Sequence, residues 1–160
     1  MIERYARKEM EQVWSLEQQY QAWLEVEIAV DRAWAKQGIV PMEDLEKIEK
    51  NASFTVERCL ELEQVTHHDV VAFTRCVSES LGPEKKWIHY GVTSTDIVDT
   101  ANGLRFKRAD AILRKDIQDF MDILKTNALK YKDTLMIGRT HGIHAEITTF
   151  GMKFALWYEE

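Results

Sequence analysis

Apolar residues recur at steps of three and four along most of the chain, and the residues between them are mainly Glu, Lys, Gln and Ala, which favour helix. From Leu16 the positions Leu16, Tyr20, Trp23, Val26, Val30 and Ala33 share one helical stripe, and Gly38 followed by Pro41 supplies a stop and a restart. This pattern predicts a helix from Ser15 to Gln37. A second helix is expected from Pro41 to Ala52, and a third begins near Thr55, where a hydroxyl suits a helix N-terminus. After Asp69 the stripe Val70, Phe73, Val77 and Leu81 runs into Gly82-Pro83, which ends it. Beyond the loop PEKKWIHYGVT, the series Leu113, Ile117, Phe120, Leu124, Ala128 and Tyr131 marks a long helix starting at Ser94 or Thr95. Unbroken, it would reach a length on the order of 50 Å. Asn102-Gly103 is its weak point, because that dipeptide favours turns and a mid-helix glycine costs about 1 kcal/mol against alanine. The stretch TLMIGRTHGIHAEITT is short on helical periodicity and reads as an extended segment and loop, after which Phe150 to Glu160 resumes a helical pattern.

No run alternates apolar and polar residues over strand length, so the fold class is all-α. The last stripe carries no stop signal, which leads us to expect a piece of a longer chain. Helices much longer than a small domain bury their stripes against partners outside it, so the parent protein should assemble into a larger helical bundle.

Composition narrows the partners. A net charge of −6 provides no basic field for nucleic acid or an anionic membrane surface. The N-terminus MIERYARKEM is charged where a signal peptide is apolar, and no run approaches the length of a membrane span, so a cytoplasmic protein is expected. Cys59 and Cys76 show neither metal-type nor redox-type spacing, which suits reduced thiols.

Candidate chemistry gathers in the loops. The five histidines occur as His67-His68-Asp69, as His89 in IHYG, and as His141 with His144 in RTHGIHAE. Taken singly, each is equally at home on a surface or satisfied in a core; at helix boundaries and loops they are better placed for chemistry. His141, His144 and Glu146 match no zinc-binding spacing, so no metal and no cofactor is expected. Thr93, Ser94 and Asp96 at the start of the long helix suit either an anion or an ordinary cap. The five tryptophans read as core or interface filler, and the acidic run from Glu43 to Glu49 as a solvated face. Residue chemistry alone thus reaches an all-α chain with loops suited to an anionic small molecule, and stops short of a reaction.

Four segments carry a more specific signal. MIERY, THHDVVAF, KKWIHYGVTSTDIVDT and MIGRTHGIHAEITTFG resemble, in order and spacing, the adenylosuccinate lyase family of the fumarase/aspartase superfamily. The resemblance implies an N-terminal helical domain over residues 1–109, and over 110–160 the first helices of a central bundle that builds a homotetramer. It implies elimination of fumarate from a succinyl-purine nucleotide, with His141 as general acid and His68 as its supporting partner and a substrate contact. Arg4 and Tyr5 resemble the nucleotide-binding pair, Thr93 and Ser94 the residues that hold the succinyl part, and His67, His68, Asp69 and His89 the remaining substrate contacts. His144 is read as structural.

Two departures from the family pattern stand out. His67 occupies the place of an arginine, which weakens anion binding there. Ile147 stands where the family has a proline. The resemblance also puts the catalytic base outside this chain, so these residues alone should not turn over. Two alternatives remain open at this point: another lyase of the superfamily, against which Arg4-Tyr5 and His68-Asp69 argue, and a non-catalytic helical interaction module.

Overall fold

The computed structural model describes residues 3–160, and the chain divides into two compact units, Met1–Ala109 and Asp110–Glu160. In the first unit a 3-10 turn at Glu3–Tyr5 leads to α1 (Lys8–Val13), α2 (Leu16–Lys36), α3 (Met42–Asn51), α4 (Val56–Thr66) and α5 (Asp69–Glu79). A second 3-10 turn (Pro83–Trp87) precedes α6 (Ser94–Lys130), which begins in this unit and continues into the next.

Local chemistry sets these boundaries. The Ser15 hydroxyl accepts the N–H of Gln18, and the Thr55 hydroxyl accepts that of Arg58, satisfying donors that a helix start leaves unpaired. The stripe of α2 buries Tyr20, Trp23, Leu24 and Val26 against α5, where Phe73 is the hub. Tyr20 stacks on Phe73 at 5.6 Å between ring centres, and Trp23 and Phe54 meet it edge-on at 5.5 and 5.7 Å. Each such side chain contributes about 1.5–3 kcal/mol by leaving water. Cys59 and Cys76 are free thiols inside this core, and burial, with the Cys76 thiol beside it, pushes Cys59 up to about 12.

Two features depart from the sequence pattern. Helix α1 was not foreseen, since its six residues bury no side chain and so leave no stripe to read. The Asn102-Gly103 dipeptide stays helical: Ile97 and Ala101 are wholly buried, and the Arg105 guanidinium lies 4.9 Å from the Trp14 ring centre. Burial along that face offsets the local cost of glycine.

In the second unit the rest of α6 is followed by β1 (Leu135–Thr140), β2 (Ile143–Thr149) and α7 (Phe150–Glu159). The stretch read as an extended segment and loop is therefore an antiparallel hairpin, with Leu135 opposite Thr149 and Thr140 opposite Ile143. Its two-residue connection, His141-Gly142, has φ of 48° and 76°, the positive pair that a tight hairpin turn demands. A register shift between Ile137 and Arg139 breaks the apolar–polar alternation, which hid the strands. The all-α reading of the chain holds, with this hairpin as the sole sheet among the described residues. Tyr131, Phe150 and Phe154 cluster where α7 starts, and a Cβ on Gly151 would lie 2.6 Å from the Lys132 Cα. No helix among the described residues is long and apolar enough to cross a membrane.

Candidate functional site

Among the described residues, three other than glycine have a positive φ, and all three are histidines: His67 at 51°, His89 at 66° and His141 at 48°. This left-handed conformation costs an L-residue on the order of 1 kcal/mol or more and persists where surrounding structure imposes it, often at functional positions. Each of the three loops singled out in the sequence contains one of them.

His67 closes α4 in the place a glycine usually takes, its N–H donating to the Glu63 carbonyl at 2.8 Å. His68 follows in extended backbone and opens α5, its Nδ1 accepting the Val71 N–H at 3.5 Å. A ring nitrogen that accepts carries no proton, so the neutral ring keeps its hydrogen on Nε2. The Asp69 carboxylate takes the Val70 N–H at 2.7 Å and lies 3.3 Å from the same Nδ1. All three side chains are exposed.

His89 is held differently. Its backbone N–H donates to Oε2 of Glu27 at 2.8 Å, and its Nδ1 lies 2.7 Å from Oε1 of the same carboxylate. Glu27 is 1% exposed, and burial raises its pKa while the bonds from His89 pull it back. One turn further along α2, Asp31 is equally buried, and among the described residues neither of its carboxyl oxygens has a hydrogen-bond partner. Burial, with the Glu27 charge adding to it, pushes Asp31 up to about 7.

At the start of α6, the carboxylate of Asp96 reaches back to the N–H of Thr93 at 2.8 Å, half of a capping box. Thr93 is exposed and Ser94 half-buried. Arg4 donates to the Tyr5 hydroxyl at 3.0 Å with its guanidinium 4.8 Å from the ring centre, and both side chains are exposed. His141 sits at the hairpin tip in the second unit, exposed, and His144 faces Arg139 across the two strands. His141, His144 and Glu146 do not converge, and no group of three metal-ligating side chains occurs among the described residues.

The sequence reading passed over Glu27 and Asp31. The available clue was their phase: from Trp23, steps of four carry both onto the apolar stripe of α2, where a carboxylate is out of place.

Comparison with known proteins places the chain in a family. Over all 160 residues the chain is 58% identical to adenylosuccinate lyase of Streptococcus mutans and 59% identical to that of Bacillus subtilis. It spans 37% of the length of each. The crystal structure of a fumarate lyase from Mesorhizobium sp. BNC1 superposes with a TM-score of 0.90 at 29% identity, over 97% of this chain and 37% of that one. The family model described as lyase matches residues 3–160, and the chain belongs to that lyase family.

Proposed function

We propose that this chain is the N-terminal portion of an adenylosuccinate lyase, which eliminates fumarate from adenylosuccinate to give AMP and from the succinyl-carboxamide nucleotide of purine synthesis. The observation that carries the reading is identity of 58–59% along the entire chain to proteins of that name.

The reaction breaks a C–N bond. A proton leaves a carbon beside a carboxylate, and the purine-side nitrogen needs a proton because it leaves poorly as an anion. His141 is the general acid; an imidazole gives and regains a proton near neutral pH, and a hairpin tip presents it to substrate. His68 supports it, and its Nε2–H is the free donor left by the helix cap. Arg4 and Tyr5 hold the nucleotide phosphate, for which a guanidinium fork is suited, while Thr93 and Ser94 hold the succinyl part at the positive end of α6. Asp69, His89 and His67 complete the substrate contacts contributed by these residues, and the base comes from outside this chain. Residues 1–109 form the N-terminal domain and 110–160 the start of the central bundle of a cytoplasmic homotetramer.

The test is His141→Ala in the full-length protein, followed by the ultraviolet absorbance change on fumarate release. Elimination should fall at least about a hundredfold with the oligomer intact on sedimentation. Residual turnover of about a tenth or more would remove His141 from the role of acid.

A further inference from the structure

The turn bearing His89 is gripped from one face of α2. Glu27, Asp31 and Trp34 step by four and three along that helix, and two of them hold the turn directly. The Trp34 indole N–H donates to the Tyr90 carbonyl at 2.9 Å, and its ring lies so close to Gly91 that a Cβ there would come within 2.9 Å of Cζ2. Glu27 fixes both the backbone and the ring of His89. The carboxylate is 1% exposed and the imidazole 26%, so the ring spans from the core to the surface. A turn that required only a positive φ would be served by glycine, as Gly91 serves two residues later. Burying a carboxylate is costly without donors, and His89 supplies two.

The geometry points to Glu27 as a positioning residue that holds His89 with its proton on Nδ1 and presents Nε2 to the substrate. An ionised carboxylate only accepts, so the ring atom facing it must donate, and Nε2 is left as the working nitrogen. Asp31 is consistent with this state: among the described residues its carboxyl oxygens have no hydrogen-bond partner, and burial with the Glu27 charge beside it favours the neutral acid there, whereas Glu27 has the two contacts from His89. The inference rests on the reading of His89 as part of the lyase substrate site.

Glu27→Gln in the full-length protein separates positioning from mere support. The amide oxygen still accepts the His89 N–H, while the amide N–H2 now donates to Nδ1, so the fold is kept and the ring proton moves to Nε2. Nitrogen NMR of labelled histidine, with His89 assigned by its loss in His89→Ala, should show the Nδ1–H form in the parent and the Nε2–H form in the variant. Fumarate release should lose at least about tenfold in kcat/KM, because an imidazole held in the wrong tautomer offers the substrate the wrong nitrogen. In a His89→Ala background the same substitution should change kcat/KM less than about twofold, because Glu27 acts only through that ring. A parent ring in the Nε2–H form overturns the inference and requires no variant. An equal loss in both backgrounds, or less than about a twofold loss in the single variant, overturns it too. A parent that releases no fumarate from either succinyl-purine nucleotide refutes the lyase reading instead, and the NMR still judges Glu27.

Discussion

The two units use the same periodicity to opposite ends. In the first, Trp23, Ile48, Val70, Phe73, Val77 and Ile97 are 1% exposed or less. In the second, Leu113, Ile117, Phe120, Ile123 and Leu129 of α6 are at least half exposed, and Leu124 is the one large apolar side chain buried among the described residues. An apolar step of three and four specifies a face of a helix and leaves its partner undetermined. The first unit closes on itself; the second leaves several large apolar side chains of α6 exposed, the kind of feature that marks an interface.

Four substitutions in the full-length protein probe that contrast, beginning with the largest expected effect. Phe73→Ala should cost about 3–5 kcal/mol in denaturant unfolding, because three rings pack on Phe73 and the cavity cannot collapse. Phe120→Ala is its control, costing under about 0.5 kcal/mol within a protomer and registering as dissociation on sedimentation. Equal costs within the protomer would break the comparison.

Asp31→Asn follows, with an effect that depends on pH. The folded protein keeps the Asp31 proton up to about pH 7, whereas the unfolded chain releases it around the ordinary value of 3.8. Between these values the native state binds the extra proton, so its stability falls as pH rises, by up to about 4 kcal/mol. The asparagine variant should lose that slope, melting higher than the parent at pH 8 and alike at pH 4. Parallel melting curves across the range would mean that Asp31 is ionised in the fold. A further effect belongs to the tightest glycine of the second unit: Gly151→Ala sets a methyl against the Lys132 backbone and should cost about 1–3 kcal/mol. A neutral result would show that α7 has room to move.

Most helices were legible because their signals are local. Ser15 and Thr55 cap where hydroxyl chemistry requires, Gly82-Pro83 follows α5, and α6 starts at Ser94 as its hydroxyl-rich entry suggested. The hairpin was missed because a register shift interrupts its alternation, and α1 because a helix without a buried face leaves no period. At the candidate site, the sequence located the histidine loops and the start of α6, since loop and cap residues declare themselves by type.

By itself, then, the sequence determined the helical class, the ends of the main helices, and which short segments hold groups able to exchange protons or bind anions. Tertiary structure decided which of those groups are constrained. The contact of His89 with Glu27 joins residues 62 positions apart, and the phase of Glu27 and Asp31 on the α2 stripe does not say which partner meets them. Local preferences act over a few residues and survive in sequence, whereas burial, strain and the direction of a pKa shift arise only when distant segments exclude solvent together.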